Sequence, residues 1–260
     1  MEKSMVEPVA TRQFDDVEVA IFASGADLGV RAAADLAPVI AAAIAERGHA
    51  SLVLATGNSQ LHFMAALCQR NDIAWDQVYV FHMDEYLGMD DKHPASFRRF
   101  IREHVTDRVQ PRAFWGIEGD AQDIDAELGR YAALLATYPP DATVMGIGEN
   151  GHLAFNDPPA DFDARDVIRV VELDEACRRQ QTGEGHFPSL ADVPHRAVSL
   201  TIPALVRSRH VLVVVPERRK AAAVRRALEG PITPECPASI LRHQPHARIY
   251  LDRESSSLLA

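Results

Sequence analysis

Two adjacent carboxylates in the segment 83–88, MDEYLG, are of a type that can act as a general base. Asp84 and Glu85 follow a short β-branched run that predicts a strand. Two carboxylates at the mouth of a sheet are costly to desolvate together, so the pKa of one of them is expected to rise toward the range useful for proton abstraction. A solvated acidic turn is the alternative interpretation of the same pair.

A glycine-rich segment at 146–159, GIGENGHLAFNDPP, presents a single histidine. His152 stands between the amide of Asn150 and the carboxylate of Asp157, directly after Gly151. Because histidine titrates near neutrality, a turn that exposes it to a ligand suits proton transfer to and from a hydroxyl or ring oxygen. A structural role for this histidine is the alternative.

The same segment also spells GxGxxG, with Glu172 at about the right distance downstream for a dinucleotide-binding motif. That motif needs its third glycine to open a long helix. Here Pro158-Pro159 arrives within two turns, and no helical pattern precedes the next strand. A nucleotide cofactor is therefore not expected.

Two further segments are suited to an anion. Thr56-Gly57-Asn58-Ser59 leads from a predicted strand into a helical pattern, where backbone N–H groups can bind phosphate. Basic side chains at 218–220 lie in the first turn of another predicted helix. Their positive charges oppose the helix dipole, and an anion bound nearby would offset this small cost. An ordinary N-cap turn and a solvated basic face are the respective alternatives.

Short β-branched runs that alternate with helix-period segments predict the elements that position these residues. This alternation is typical of a parallel sheet covered by helices, in which ligands bind at the carboxyl ends of the strands. No repeat or Gly/Ser-rich linker interrupts the pattern, so one domain over 1–260 is expected. The predicted strands are 17–23, 51–56, 77–83, 142–147, 167–173, 197–202, 210–215 and 247–252.

The bulk composition excludes several classes of partner. A formal net charge of -10 argues against binding a nucleic-acid backbone. The three cysteines show no CxxC or CxxxC spacing, so neither a disulfide framework nor a thiolate zinc site is indicated. No secretory h-region and no stretch near the ~20 apolar residues of a bilayer span is evident. A cytoplasmic protein without a membrane partner is expected.

Taken together, these segments resemble the glucosamine-6-phosphate deaminase/isomerase family. The resemblance runs from about 17 to 259. Its most specific parts are ATG (55–57), MDEYLG (83–88), HPASFRRF (93–100), GIGENGHLAFND (146–157), KAAAVRRALEG (220–230) and PASIL (237–241). The resemblance implies a three-layer α/β/α, modified Rossmann-like fold with a mainly parallel central sheet. It also implies a reaction without metal or cofactor, in which a 2-amino-2-deoxyhexose 6-phosphate gives a ketose 6-phosphate and ammonia.

The resemblance further implies a role for each matching residue. Asp84 matches the base that removes the C2 proton, and His152 matches the histidine that opens the sugar ring. Lys220 matches a lysine that holds the phosphate. The predicted catalytic residues are Asp84, Glu85, Asn150, His152 and Asp157, and the predicted substrate- and phosphate-binding residues are Thr56, Gly57, Asn58, Ser59, Gly151 and Lys220.

The sequence departs from the family pattern in ways that bear on the substrate. Asp157 stands where glutamate is usual, and its shorter side chain is expected to withdraw the carboxylate by about one methylene. The phosphate loop reads TGNSQ in place of the more usual TGGTP or TGSTP. Gln181 aligns with an arginine that helps to bind the phosphate, and Arg178 or Arg179 is the candidate replacement.

Two other functions on the same fold remain open from the sequence. One is a sugar-phosphate sensor that binds its ligand without changing it, which the altered phosphate and Asp157 positions would allow. The other is a hydrolase like 6-phosphogluconolactonase. The motifs MDEYLG and FND argue against it, because both are closer to the deaminase pattern. The family includes monomers and hexamers, so a homo-oligomer is possible.

Overall fold

The computed structural model describes residues 6–183, 185 and 187–260 of the chain. The strands, numbered in chain order, are β1 (Ala10–Phe14), β2 (Val17–Phe22), β3 (Ala50–Leu54), β4 (Val78–His82), β5 (Asp84–Tyr86), β6 (Ala113–Trp115), β7 (Ala142–Met145), β8 (Ile168–Glu172), β9 (Arg196–Leu200), β10 (His210–Val215) and β11 (Ala247–Asp252). The α-helices are α1 (Gly25–Arg47), α2 (Leu61–Cys68), α3 (Phe97–Ile101), α4 (Asp107–Val109), α5 (Ile124–Thr137), α6 (Glu175–Gly183), α7 (Ile202–Val206) and α8 (Ala221–Glu229). A π-helical segment, Arg102–Thr106, joins α3 to α4.

The central sheet has the strand order β1-β2-β11-β10-β7-β3-β4-β6. Its pairs are parallel apart from the antiparallel pair of β1 and β2. Every residue of β3 and β4 is buried, as expected for interior strands covered on both faces. The carboxyl ends of the parallel strands consequently meet along one edge of the sheet.

Helices cover both faces of this sheet. Along β2, Val19 and Ile21 pack into a core with α5 and α8, whereas Ala20 and Phe22 pack into a second core with α1 and α2. This alternation follows from the opposite directions of successive side chains in a strand. The predicted three-layer α/β/α fold with a mainly parallel sheet is confirmed.

The longest helix, α1, begins where the side chain of Ser24 accepts a hydrogen bond from the backbone N–H of Asp27 and ends before Gly48. An 18-residue window of α1 has a mean hydropathy of 1.6, which fits a membrane span by length and composition, although the sequence interpretation expected no such stretch. A core helix passes the same test, and α1 packs a row of buried side chains, including Leu28, Leu36 and Ile40, against the sheet.

A second, three-stranded sheet lies beside the main one, with β9 between β5 and β8 and both pairs antiparallel. The sequence interpretation grouped 167–173 and 197–202 with the parallel strands, and this grouping was wrong. The cause is that β9 is almost fully buried and so has the apolar composition of a parallel strand. The short strands β1, β5 and β6 were not predicted.

Candidate active site

A cleft opens at the carboxyl ends of β3, β4, β7 and β10 and holds about 570 Å³, including its open mouth. Ligands of open parallel sheets bind at this edge. The residues that line the cleft are Ala55, Thr56, Gly57, Ser59, Met83, Asp84, Phe97, Gly146, Ile147, Gly148, His152, Ala154, Phe155, Gln180, Gln181 and Lys220. Six of the predicted site residues are among them. The other five predicted residues, Asn58, Glu85, Asn150, Gly151 and Asp157, lie outside the lining.

Asp84 is the carboxylate that faces the cleft. It is the first residue of β5, two positions after the end of β4, and only 6% of its surface is exposed. Burial raises the pKa of Asp84 well above its usual range, and the charge of Glu85 adds to the rise. A carboxylate with a raised pKa is a stronger base once ionised, which suits removal of a proton from carbon.

Glu85 lies outside the cleft, although the sequence placed it with the catalytic residues. Its carboxylate is fully buried and accepts hydrogen bonds from the backbone N–H groups of Tyr86 (3.0 Å), Phe97 (3.1 Å) and Arg98 (2.9 Å) and from the Ser96 hydroxyl (2.9 Å). These bonds fasten the first turn of α3 to β5. Because Phe97 lines the cleft, Glu85 supports the site from behind.

We expect Glu85→Ala to lower the free energy of unfolding by about 3 kcal/mol, because it leaves three backbone donors and one hydroxyl buried without their acceptor. Urea denaturation of the purified variant measures this loss. Glu103→Ala is the matched control, since Glu103 is half-exposed and pairs with Arg99 on the same helical face. The control should stay within about 0.5 kcal/mol of the parent. A loss below about 1 kcal/mol for Glu85→Ala would contradict the anchoring role.

The His152 imidazole is fixed by a carboxylate behind it. Nδ1 of His152 lies 3.1 Å from Oδ1 of Asp157, and the same oxygen accepts a hydrogen bond from the Asn150 amide at 3.0 Å. Because a carboxylate oxygen only accepts, Nδ1 carries the proton and Nε2 is left as the acceptor. Burial alone would raise the pKa of Asp157, but the hydrogen bonds from His152 and Asn150 hold it below its usual range.

The backbone of the glycine-rich turn brings these groups together. A Cβ on Gly148 would lie 2.3 Å from Nε2 of His152, so only glycine lets the ring pack over the turn. Gly151 has a φ of 93° and lies behind the turn, where a Cβ would be 3.1 Å from Sγ of Cys236. The two glycines shape the turn, and Gly151 does not line the cleft.

Although its side chain is shorter than the glutamate of the family pattern, Asp157 contacts the histidine. Its Oδ1 remains in hydrogen-bond range of the imidazole, while Oδ2 accepts from the backbone N–H of Asp174 at 3.1 Å. Asn150 also donates to Asp174, at 3.3 Å. Neighbouring groups therefore hold the aspartate where it reaches His152.

The residues predicted to bind phosphate are distant in sequence from the glycine-rich turn, but most of them line the same cleft. Thr56, Gly57 and Ser59 come from the loop between β3 and α2, whereas Asn58 of the same loop is outside the lining. Lys220 ends the 3-10 turn Arg218–Lys220 before α8 and is 3% exposed. Among the described lining residues, Lys220 is the one with a full positive charge.

The family pattern has an arginine where this chain has Gln181. Neither Arg178 nor Arg179 brings a positive charge into the cleft in its place. Arg178 is buried and donates to the carbonyls of Leu190 (2.7 Å) and Val193 (3.0 Å), so it fastens α6 to the following loop. Arg179 is 70% exposed and pairs with Glu175. Neither lines the cleft, so neither is placed to substitute for the arginine of the family pattern.

Two glutamines occupy this part of the cleft instead. Gln181 accepts a hydrogen bond from the Tyr86 hydroxyl at 2.7 Å, which turns its amide NH₂ away from Tyr86. Gln180 accepts from the backbone N–H of Glu149 at 3.0 Å. Sequence reasoning missed Gln180 and Tyr86, because helical spacing alone does not show which positions of α6 face a ligand.

The chain matches the model of the family described as glucosamine-6-phosphate isomerases/6-phosphogluconolactonase over residues 23–250. Among curated relatives, the glucosamine-6-phosphate deaminase of Pseudarthrobacter chlorophenolicus is 37% identical over 215 residues, covering 81% of this chain and 82% of the relative. That of Exiguobacterium sibiricum is 36% identical over 207 residues, covering 80% of each.

Solved structures show the same likeness. A monomeric glucosamine-6-phosphate deaminase superposes with a TM-score of 0.84 at 30% identity, covering 92% of this chain and 99% of that one. The 6-phosphogluconolactonase of Thermotoga maritima shares the fold, with a TM-score of 0.73 at 17% identity over 91% and 99% of the two chains. The fold is thus that of a family of α/β enzymes. The chain belongs to the glucosamine-6-phosphate isomerase/6-phosphogluconolactonase family, which confirms the predicted resemblance.

Proposed function

We propose that this chain is a deaminase/isomerase that converts a 2-amino-2-deoxyhexose 6-phosphate, of the glucosamine 6-phosphate type, into a ketose 6-phosphate and ammonia. The observation that carries the proposal is that Asp84 and His152 line one cleft, and that Lys220 and three residues of the loop between β3 and α2, Thr56, Gly57 and Ser59, line it too. Relatives that are 36–37% identical over four-fifths of the chain are named glucosamine-6-phosphate deaminases.

His152 opens the sugar ring in this proposal. Its Nε2 takes the proton of the anomeric hydroxyl and returns it to the ring oxygen as the C1–O5 bond breaks. The carboxylate of Asp157 at Nδ1 stabilises the imidazolium that forms between the two transfers, as carboxylate–imidazole pairs do in other enzymes. Asn150 holds that carboxylate in place.

Asp84 then moves one proton between adjacent carbons of the open chain. The carboxylate removes the C2 proton while the C1 carbonyl oxygen takes a proton from the ammonium group that the substrate carries at C2, which gives an enolamine. Returning the proton at C1 leaves an iminium at C2, and water hydrolyses this group to the ketone and ammonia. Proton return by the same group requires that the open-chain sugar stay within reach, which phosphate binding by Lys220 and the loop 56–59 would ensure.

Turnover of glucosamine 6-phosphate tests the proposal. The purified protein should release ammonia and fructose 6-phosphate in equal amounts, measured by coupled assays for both products. Galactosamine 6-phosphate and unphosphorylated glucosamine complete the panel and define the sugar and the charge that are required. Thermal stabilisation by these sugars without product would indicate the sensor, and hydrolysis of 6-phosphogluconolactone would indicate the lactonase. The possible homo-oligomer and the cytoplasmic location stay predictions.

A further inference from the structure

Three potential metal ligands meet behind the catalytic histidine. His152, Asp157 and Cys177 each offer one ligand atom, and these atoms lie within 4.8 Å of one another. The cysteine spacing did not indicate this site, because Cys177 lies on α6, 20 residues after Asp157 and 25 residues after His152. A thiolate, an imidazole and a carboxylate are a combination that zinc binds in proteins.

The spacing requires only small movements to surround an ion. Around a tetrahedral zinc with bonds of about 2.0–2.3 Å, the ligand atoms lie roughly 3.3–3.6 Å apart. Nδ1 of His152 and Oδ1 of Asp157 are already 3.1 Å apart. The sulfur therefore has to approach the other two atoms by about 1.5 Å at most, a movement of the order of a side-chain adjustment.

The charges around the cluster favour a cation. Asp174 is part of the same network, since its carboxylate accepts hydrogen bonds from the Cys177 backbone N–H (2.5 Å) and from Asn150 (3.3 Å). The Cys177 side chain is buried beside the carboxylates of Asp157 and Asp174, and a divalent ion bound to it would offset their negative charge.

We propose that His152, Asp157 and Cys177 form an inhibitory binding site for a thiophilic divalent cation, of which zinc is the common example. Binding displaces the thiol proton to solvent and moves the imidazole proton from Nδ1 to Nε2. The Nε2 atom that faces the cleft then becomes a donor and can no longer accept the proton of the anomeric hydroxyl. Magnesium and calcium prefer oxygen ligands and do not compete for this site. The predicted loss of turnover rests on the proposed function, whereas metal binding at this site does not depend on it.

Cobalt spectroscopy of the full chain tests binding without reference to activity. Chelator-treated protein titrated with Co²⁺ should develop a near-ultraviolet sulfur-to-cobalt charge-transfer band at one equivalent, and Zn²⁺ should remove it. Zinc at the same occupancy should lower deaminase turnover at least about 10-fold, while Mg²⁺ should not. A protein that shows the band but has no deaminase activity would leave the site standing and refute only the proposed function.

Variants assign the ligands. Cys177→Ala should lose the charge-transfer band and need about 100-fold more zinc for half-inhibition. Cys68→Ala and Cys236→Ala are matched controls that remove the other two cysteines, and both should keep the band. Asp157→Asn keeps the thiol yet should bind cobalt at least about 10-fold more weakly, which covers the case in which Cys177→Ala does not fold. A band that persists in Cys177→Ala, or unchanged cobalt affinity in Asp157→Asn, would overturn the proposal.

Discussion

Asp84→Asn is expected to reduce kcat for glucosamine 6-phosphate by at least about 1,000-fold, because an amide cannot take up the C2 proton and general base catalysis contributes about 100- to 10,000-fold. Asparagine has nearly the shape of aspartate, so the cleft and its phosphate-binding groups should be retained. Ligand-induced thermal stabilisation should accordingly persist in the variant. Steady-state kinetics and thermal unfolding with and without the sugar phosphate measure the two effects, and a variant with more than about a tenth of the parent kcat would exclude Asp84 as the base.

The same substitution should stabilise the fold at neutral pH. An acid whose pKa is raised by folding binds its proton more tightly in the native state, so the protein loses stability as pH rises from about 4, the unfolded value, through the native pKa of Asp84. The amide of the Asp84→Asn variant has no proton to lose. The stability difference between variant and parent should thus be near zero at about pH 3.5 and grow with pH by up to about 1.4 kcal/mol per unit within that window.

An exposed aspartate provides the control with the opposite sign. Arg70 donates a hydrogen bond to Asp72 and holds its pKa below the usual range, and the side chain of Asp72 is 59% exposed. Asp72→Asn should cost a little stability above about pH 4 and leave kcat unchanged. The pH profile of the parent kcat should rise through the native pKa of Asp84, since the base must be ionised. Denaturation curves for the three proteins across about pH 3.5–8 would separate the two signs.

The positions of the chemistry-bearing segments could be predicted from sequence, because β-branched runs mark the strands and parallel strands end at a common edge. Thr56, Asp84, His152 and Lys220 accordingly meet in one cleft. That Asp84 lines the cleft while Glu85 binds the start of α3 could not be predicted. The sequence placed both carboxylates just after a strand, whereas the structure places them within β5, a strand in which adjacent side chains point to opposite faces. Only one of the two carboxylates can then face the ligand.

The tertiary contacts of individual side chains could likewise not be predicted from the sequence. Arg178 and Gln181 are three positions apart on α6, and both are buried. What separates them is the partner each one meets, namely the carbonyls of Leu190 and Val193 for the arginine and the Tyr86 hydroxyl for the glutamine. Those partners come from distant segments, and helical periodicity carries no information about them.

Lys220→Ala is expected to lower kcat/KM for glucosamine 6-phosphate by about 10- to 100-fold, because a hydrogen bond to a charged group contributes about 1.5–3 kcal/mol. The loss for unphosphorylated glucosamine should be far smaller, since that sugar has no anion for the lysine to hold. Steady-state kinetics with both sugars measure the difference. Inorganic phosphate serves as a third probe, and its inhibition constant should rise by a similar factor to that of the phosphorylated substrate.

The neighbouring residue Arg218 makes the comparison specific. It lies in the same 3-10 turn as Lys220, but its side chain is 73% exposed and pairs distantly with Glu254. Arg218→Ala therefore removes one positive charge from the same surface without altering the cleft, and its kinetics should match the parent within about twofold. Gln181 supplies a neutral donor where relatives are expected to supply a second cation, so binding of the phosphate should depend on Lys220 more heavily in this chain. Equal losses for the phosphorylated and unphosphorylated sugars in Lys220→Ala would refute the phosphate role of this lysine.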